Sequence, residues 1–284
     1  MGDTFAFFRS LFARQEPQSE PEAANIPSDP FTDSRCGEKP VILYFAPHQD
    51  DELLTLGVDA CRAISSGEYD VHIILCTDGS KSSKRFEICN GKACRLHPGI
   101  HQYELSIPQF IAARDREFRG SCDALGYEPG SIHFFPRRSI DSLLSVQAAE
   151  ATIRSVLAQF PGSPAVRTLS PFGGKGQHKD HRNLGQAALN LYRQGEIRDL
   201  KLFIEPYCVQ DCNAEYPELA LSSIRADEKE LAKIRKAIAS YSTWEPEAEK
   251  YAIGYHSVTT IFNDFTKEPV AWYHLPEASP VSEV

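Results

Sequence analysis

The order of the predicted elements indicates an α/β protein, a Rossmann-like three-layer α/β/α sandwich around a mostly parallel sheet. Three observations predict this fold class. Short apolar runs typical of fully buried strands alternate with segments whose apolar residues have helical spacing. The alternation repeats four or five times along the chain. Histidine and carboxylate residues, which can bind metal or transfer protons, follow directly after several of the runs, where sheets of this type bind ligands.

The individual elements follow from local patterns. The first predicted strand, residues 41–46, is an apolar run bounded by Pro40 and Pro47. A helix is predicted over 51–66, where apolar residues recur every three or four positions. Gly126 is expected to end a second helix, because glycine is the favoured residue after a helix. The remaining strands are predicted at 71–76, 132–135, 166–169 and 200–204, and the helices at 108–126, 146–160, 180–193 and 223–241.

The domain organisation is predicted to be simple. Residues 1–35, rich in Gln, Glu, Pro and Ser after a short apolar start, are interpreted as a flexible tail. Residues 36–284 are interpreted as a single domain. Within it, the stretch 81–108 has little periodicity and is predicted to be a lid-like insertion; the alternative is a plain surface insertion. No secretory signal is recognisable, which favours the cytoplasm.

Composition excludes two broad classes of protein. The chain has 42% hydrophobic and 24% charged residues, which is ordinary for a globular protein. Its 30 basic and 39 acidic residues give a net charge of −9, which argues against binding to a nucleic-acid backbone. No apolar stretch approaches the ~20 residues that span a bilayer.

Eight cysteines are too few for a disulfide scaffold, and we expect them to be reduced and not to bind metal; a loop disulfide at Cys89/Cys94 or Cys208/Cys212 is the alternative.

Two clusters contain the histidine and carboxylate residues that could take part in catalysis or bind a metal. The first is His48-Gln-Asp50-Asp51-Glu52, directly after the first predicted strand. The second is His178-Lys-Asp-His181, which follows the fourth strand and opens a helix. Each cluster alone has a simple structural explanation, since acids favour the start of a helix and one histidine pair is unremarkable. Together they supply the imidazole and carboxylate ligands of a catalytic metal site that keeps one position for water. We therefore predict one Zn²⁺ per chain, with Fe²⁺ or another divalent metal as the alternative.

These motifs resemble those of the LmbE-like, or PIG-L, family of zinc-dependent deacetylases that act on N-acetylglucosaminyl compounds. The family has a His-Pro-Asp-Asp-Glu motif and a later His-x-Asp-His motif, which match residues 48–52 and 178–181. Gln49 and Lys179 stand where the common form has proline. The family's Arg-x-x-Glu helix corresponds to residues 114–117, and the resemblance covers roughly residues 40–240.

The resemblance implies roles for individual residues. The implied metal ligands are His48, Asp51 and His181. Asp50 is the implied general base, which takes a proton from the attacking water. His178 is the implied acid that protonates the leaving amine or stabilises the oxyanion, with Asp180 orienting it.

Four further residues can be interpreted, three of them in two ways. Arg114 resembles the family's substrate-contacting arginine; the alternative is an arginine on the helix surface or one that tethers a loop. Asp141 follows the third strand and is either a ligand for sugar hydroxyls or a turn residue. Glu52 is interpreted as support for the helix start. His256 lines the pocket mouth or, as we prefer, is a hydrogen-bonded structural histidine.

The sequence thus predicts a hydrolase acting on linear amide C–N bonds, which deacetylates an N-acetylglucosamine-type conjugate. Its partner is expected to be a small-molecule amino sugar, with no nucleic acid and no integral membrane segment; the oligomeric state is left open. One alternative keeps the metal and cleaves another small amide. Another is a non-catalytic sugar- or nucleotide-binding module. Asp50 and Asp51 argue against it, because acids directly after the first strand repel a phosphate.

Overall fold

The computed structural model describes residues 39–280, in which a mostly parallel seven-stranded sheet is flanked by helices. This is the predicted α/β fold. The predicted tail of residues 1–35 lies outside the described residues, so the domain boundary at residue 36 stays a prediction. Within 39–280, no helix combines the length and apolarity needed to cross a bilayer.

The strands occur in the predicted order, with additional strands inside the 81–108 insertion and towards the C-terminus. Eleven are found in the described part of the chain: β1 (Val41–Ala46), β2 (Asp70–Thr77), β3 (Lys92–Ala93), β4 (Ile100–His101), β5 (Ile132–Ser139), β6 (Ala165–Leu169), β7 (Leu200–Ile204), β8 (Ser222–Arg225), β9 (Trp244–Glu245), β10 (Lys250–Tyr251) and β11 (Val270–His274).

The helices alternate with these strands. Over the same residues there are nine: α1 (Asp51–Leu54), α2 (Gly57–Ser66), α3 (Lys84–Ile88), α4 (Ile107–Leu125), α5 (Val146–Leu157), α6 (Lys179–Arg193), α7 (Val209–Glu215), α8 (Glu228–Ser242) and α9 (Ile253–Lys267).

The strand order of the large sheet is β5-β2-β1-β6-β7-β11-β8. The first five of these strands pair in parallel, whereas β11 runs antiparallel to both β7 and β8. The chain leaves β1 in one direction, towards β2, and later returns to its other side as β6. A crevice forms where the order reverses in this way, at the carboxyl ends of the strands. Both sequence clusters lie at this crevice, after β1 and after β6.

Two predicted helices differ from the structure. The helix expected over 51–66 is divided into α1 and α2 by the segment Thr55–Leu56. The helix expected over 223–241 starts only at Glu228, because Ser222–Arg225 forms β8 instead. Asp227 explains the later start, since its side chain accepts a hydrogen bond from Glu230 N in a capping box. The antiparallel strands β8 and β11 were not predicted.

Helix α4 has clear start and stop signals, and it brings two charged residues under the crevice. Ser106 begins it with a capping box to Gln109, and Gly126 ends it with φ of 103°. Arg114 and Glu117 lie on its buried face. The seven cysteines of the described chain are all free, so neither Cys89/Cys94 nor Cys208/Cys212 forms a disulfide.

Candidate metal centre

Five loops at the carboxyl ends of the parallel strands contribute polar residues to one site. The β1–α1 turn supplies the first sequence cluster, and the loop between β6 and α6 supplies the second. Parallel strands end at the same edge of the sheet, so residues that are far apart in sequence meet there. The loops after β2, β5 and β7 add Asp78, Asp141 and Glu205.

Three donor atoms converge at the centre of this site. His48 Nδ1 lies 2.9 Å from His181 Nε2, and Asp51 Oδ2 lies 3.1 Å from the same His181 nitrogen. His48 Nδ1 and Asp51 Oδ2 are 3.6 Å apart. All three residues are buried. The sequence clusters after β1 and β6 therefore meet, as the strand order predicted.

The outer nitrogens of both histidines are held by carboxylates. His48 Nε2 donates to Asp180 Oδ2 at 3.1 Å, and Asp141 Oδ1 lies 3.4 Å away. His181 Nδ1 donates to Glu205 Oε1. Each ring therefore keeps its proton on the outer nitrogen, and the inner nitrogens face each other with lone pairs. Two lone pairs and a carboxylate oxygen directed at one point fit a divalent cation.

The charges of the site favour a cation at the same point. Burial lowers the pKa of His181, but Asp51 and Glu205 outweigh it and raise that pKa to about 9. Burial raises the pKa of Asp51, but His181 and His48 outweigh it and hold this pKa far below its ordinary value. The negative charge that attracts a proton to the histidines equally attracts a metal ion, which competes with that proton.

Asp50 stands beside the three donor atoms in an unusual backbone conformation. Its φ is 112°, a value that non-glycine residues rarely adopt and that often marks a functional site. Its amide donates to Glu52 Oε2 at 2.9 Å, which holds the turn in place. Burial and the charge of Asp51 raise the pKa of Asp50 to about 7. A carboxyl group with such a pKa can accept and release a proton near neutral pH.

Glu52 supports this turn from below. It is fully buried, and Oε1 accepts a hydrogen bond from the hydroxyl of Tyr241 at 2.8 Å while Oε2 accepts from Asp50 N. Burial raises the pKa of Glu52 to about 8. Its contacts are with the protein's own groups, which fits the supporting role expected from the sequence.

Arg114 is buried beneath the same turn. Nη2 donates to the carbonyl of Gln49 at 2.9 Å, and Nη1 donates to the carbonyl of Gly79 at 3.1 Å. Its Nη2 lies 3.9 Å from Asp50 Oδ2. Arg114 therefore ties the β1–α1 turn to the loop after β2. These contacts correspond to the loop-tethering interpretation.

His178 and Asp180 occupy the start of α6. His178 Nδ1 accepts a hydrogen bond from the amide of Asp180 at 3.2 Å, and its Nε2 lies 3.4 Å from Ser142 Oγ. Burial and the neighbouring rings of His48 and His181 lower the pKa of His178. The Asp180 carboxylate accepts hydrogen bonds from His48 Nε2 and from the amides of Ser142 and Leu144. The sequence predicted that Asp180 orients His178; its carboxylate instead bonds to His48.

Asp141 also lies beside His48, at the same Nε2 atom as Asp180. Its Oδ2 accepts from the amide of Lys81 at 3.2 Å and its Oδ1 from the hydroxyl of Ser142 at 3.1 Å. The Asp141 amide donates to Asp78 Oδ1 at 2.9 Å. Asp141 thus connects the loop after β5 to the start of the 81–108 insertion, as its turn-residue interpretation predicts.

Glu205 was missed at the sequence level. It is fully buried directly after β7, and besides His181 it accepts a hydrogen bond from Gln177 Nε2 at 3.3 Å. The signal was present, because the rule that polar residues after parallel strands form the site applies to β7 as it does to β1 and β6. Glu205 stood alone after its strand, without the histidines that mark the other two loops.

Comparison with known proteins decides the family. The model of the GlcNAc-PI de-N-acetylase family, PIG-L, matches residues 43–192. The chain belongs to this family. The match covers β1 to α6 and includes both sequence clusters. No curated protein sequence matches the chain.

Solved structures of PIG-L-like deacetylases resemble the chain in fold. A zinc-inhibited form of the teicoplanin deacetylase Orf2 is 16% identical with a TM-score of 0.55, and the alignment covers 83% of this chain and 98% of that one. A triple mutant deacetylase from the teicoplanin pathway is 18% identical with a TM-score of 0.58, covering 84% and 98%. The A40926 pseudoaglycone deacetylase Dbv21 is 20% identical with a TM-score of 0.55, covering 86% and 100%. At these identities the likeness concerns the fold.

Proposed function

We propose that this PIG-L family member is a metal-dependent N-deacetylase that removes the acetyl group from an N-acetylglucosamine-type conjugate. The observation that carries the proposal is the convergence of His48 Nδ1, His181 Nε2 and Asp51 Oδ2 at 2.9–3.6 Å from one another. The name of the matching family, GlcNAc-PI de-N-acetylase, supports the N-acetylglucosamine part of the substrate. Zinc is the proposed metal, because its catalytic sites use three such ligands.

His48, Asp51 and His181 are the proposed metal ligands. His178 also brings a ring nitrogen within 4.8 Å of nitrogens of His48 and His181, but we assign it to proton transfer, since its Nδ1 accepts from the Asp180 amide and its Nε2 lies 3.4 Å from Ser142 Oγ. Asp180 and Glu205 hold the two ligating rings through their outer nitrogens, which fixes their tautomers and makes the inner nitrogens more basic. A divalent cation bound here lowers the pKa of a bound water to about 7 and polarises the amide carbonyl.

Asp50 and His178 are the proposed proton-transfer groups. Asp50 accepts one proton from the attacking water, whose oxygen adds to the amide carbon. His178, whose ring centroid lies 4.6 Å from that of His48, stabilises the oxyanion and, after taking a second proton from solvent, donates a proton to the nitrogen when the C–N bond breaks. Water thus supplies its hydroxyl to the acetyl group and a proton to the amine, so the products are acetate and a free amino sugar. Asp50 and His178 return to their starting protonation when they exchange these protons with solvent.

Arg114 and Asp141 act as positioning residues in this proposal. Arg114 fixes the carbonyl of Gln49 next to the base, and Asp141 fixes the Lys81 amide and the Ser142 hydroxyl at the rim. Residues 36–284 are proposed to work as a single domain, with 81–108 as a lid-like insertion that begins at this rim. A substrate-binding role for either residue would have to compete with these internal contacts.

The proposal is tested by measuring amine release from N-acetylglucosamine and its conjugates with Zn²⁺-loaded protein. Asp50→Asn is the diagnostic variant. Asparagine is a matched replacement, because it tolerates a positive φ and removes only the proton-accepting charge. Turnover in wild type and its loss in Asp50→Asn, with metal still bound, is the expected result. Full turnover in the variant contradicts the assignment of the base, and release from other amides alone would replace the amino sugar by a different substrate.

A further inference from the structure

A second group of potential metal ligands lies among residues that the candidate metal centre does not use. It consists of Cys94, His97 and His101, around the hairpin of β3 and β4, and His256 at the start of α9. His97 Nε2 lies 3.0 Å from His101 Nε2 and 3.1 Å from His256 Nε2. Cys94 Sγ lies 3.3 Å from His256 Nε2. We refer to these four residues as the Cys/His cluster.

The outer nitrogen of every histidine in the Cys/His cluster faces a backbone carbonyl. His256 Nδ1 is 2.6 Å from the oxygen of Ala252, His101 Nδ1 is 3.1 Å from that of Glu87, and His97 Nδ1 is 3.2 Å from that of Pro98. A carbonyl oxygen only accepts, so each Nδ1 carries the proton. The three Nε2 atoms therefore face one another with lone pairs and no proton between them.

Lone pairs directed at each other repel unless a cation lies between them, and the Cys94 thiol, 3.3 Å from His256 Nε2, can donate its proton to that nitrogen alone. A hydrogen bond between two Nε2 atoms would need one of the rings to be protonated at both nitrogens. Stacking of His97 on Trp244, with ring centroids 3.5 Å apart, accounts for the plane of that ring. It does not account for the convergence of Nε2 atoms from three rings, two of which lie on the insertion and one on α9.

The surroundings of the Cys94 sulfur also fit a metal ligand. It is half-buried and accepts a hydrogen bond from the amide of Leu96 at 3.3 Å. Sulfur binds metal as the thiolate, and this amide contact leaves the other lone pairs of Cys94 Sγ directed at the histidines. Cys94 thus adds a fourth ligand to the three imidazoles.

We propose that the Cys/His cluster is a second, structural zinc site with a closed Cys-His₃ ligand set. Thiolate and imidazole ligands select zinc among the common divalent metals, and four protein ligands leave no open position for water or substrate. Ligand atoms around tetrahedral zinc are separated by about 3.3–3.8 Å. The four atoms here all lie within 4.8 Å of one another, so small side-chain movements suffice.

The proposed site joins the insertion to the rest of the protein. His256 lies in the first turn of α9, and the start of this helix is bound to α4 because Glu117 accepts from the amides of Ile253 and Gly254 at 2.6 and 2.9 Å. The same α4 carries Arg114, which contacts the turn of the candidate metal centre. A metal here fixes the middle of the insertion, whose first residue, Lys81, donates its amide to Asp141.

Cobalt substitution tests this site separately from the candidate metal centre. None of the ligands proposed for that centre is a cysteine, so only the Cys/His cluster gives sulfur-to-cobalt charge-transfer absorption in the near ultraviolet. We expect Co²⁺-loaded wild type and His181→Ala to show this absorption and Cys94→Ser to lack it. Cys89→Ser is the matched control, because Cys89 lies five positions away and its Sγ accepts only from the Leu105 amide among the hydrogen bonds of the described residues.

Zinc content gives an independent readout. We expect about two Zn²⁺ per chain in loaded wild type and Cys89→Ser, and about one in either Cys94→Ser or His181→Ala. Cys94→His, which supplies nitrogen in place of sulfur, is expected to keep two Zn²⁺ without the cobalt absorption, and it replaces Cys94→Ser if that variant fails to fold.

Absence of sulfur-to-cobalt absorption in wild type would overturn the proposal, as would zinc content that is unaffected by Cys94→Ser. If His181→Ala retains all the metal of wild type, the candidate metal centre fails and the structural site stands.

Discussion

Glu205 holds the imidazole of His181 by accepting a hydrogen bond from Nδ1, so that Nε2 is directed at His48 and Asp51. This relationship joins two parts of the sheet, because Glu205 follows β7 whereas His181 lies in the first turn of α6. Carboxylates that bind the outer nitrogen of a ligating histidine typically raise metal affinity 10–100-fold. The strength of the proposed metal centre therefore depends on a residue outside both sequence motifs.

Replacing this carboxylate weakens metal binding. We expect Glu205→Gln to lower the affinity for Zn²⁺ about 10–100-fold, because the amide is a weaker acceptor for His181 Nδ1–H. Competition with a chelator of known affinity measures the change. Glu196→Gln is the control, since Glu196 is exposed and pairs with Arg154. Equal affinities in wild type and Glu205→Gln would show that Glu205 contributes only packing.

Loss of the proposed base, Asp50, is expected to lower turnover and to leave metal binding unchanged. We expect Asp50→Asn to reduce kcat by about 10²–10⁴-fold, the usual cost of removing a proton-transfer group, with zinc content unchanged. Single-turnover kinetics and metal analysis on the same preparation separate the two effects. Loss of metal together with activity would instead make Asp50 a ligand.

The loop after β2 is expected to tolerate no side chain at Gly79. A Cβ there would lie 2.5 Å from Arg114 Nη1 and closer still to the Gln49 side chain, and φ is +65°. Gly91 has nearly the same φ, +71°, but open space around it. We expect Gly91→Ala to cost about 1–2 kcal/mol of unfolding free energy, from the backbone alone.

Gly79→Ala is expected to cost clearly more and also to lower activity, because it displaces Arg114 and the turn that carries Asp50. Denaturant unfolding and kcat/KM of the two variants test this. Equal effects of the two substitutions would mean that Arg114 is not held in the observed position.

We expect the free energy of unfolding to fall at low pH, because His274 is buried in its neutral form. Burial lowers the pKa of His274 to about 4; its Nδ1 donates to the Leu275 carbonyl, and its Nε2 accepts from the Ser170 hydroxyl at 2.7 Å. Below pH 6.5 the unfolded chain binds a proton that the folded chain excludes, so stability falls as pH drops from 6.5 to 4.

The full effect of His274 is up to about 3 kcal/mol. Chemical unfolding at a series of pH values measures it, and we expect a shallower fall for His274→Gln. Identical slopes in the two proteins would contradict the assignment.

The sequence predicted the parallel part of the sheet well and its antiparallel edge poorly. Strands β1, β2, β6 and β7 are buried at all but one residue each, so most of their residues are apolar and the strands are visible without any partner. By contrast, β8 is the mostly exposed Ser222–Arg225, whose polar residues read as the beginning of the charged helix that follows. Its strand conformation depends on pairing with β11, a contact that no local pattern encodes.

The same distinction applies to the polar sites. His48 and His181 stand in clusters whose composition indicates metal binding, whereas the relation of Glu205 to His181 exists only in the folded chain. Cys94, expected to be a non-ligand, has the spacing Cys-x₂-His-x₃-His to His97 and His101. That spacing indicates a metal site only together with His256, which lies on α9 and contacts Cys94 and His97 in the folded chain. The resemblance implied that Asp180 orients His178; in the folded chain its amide donates to His178 Nδ1, and its carboxylate accepts from His48 across the crevice.

The measurement that tests the central claim most directly is amine release from an N-acetylglucosamine conjugate by zinc-loaded wild type, chelator-stripped wild type and zinc-loaded His181→Ala, with zinc content determined in parallel. The proposed function requires turnover in the loaded wild type alone, its recovery when zinc is returned to the stripped protein, and about one fewer zinc per chain in His181→Ala. Equal turnover in the stripped protein, or unchanged zinc content and activity in His181→Ala, would contradict a catalytic metal held by His48, Asp51 and His181.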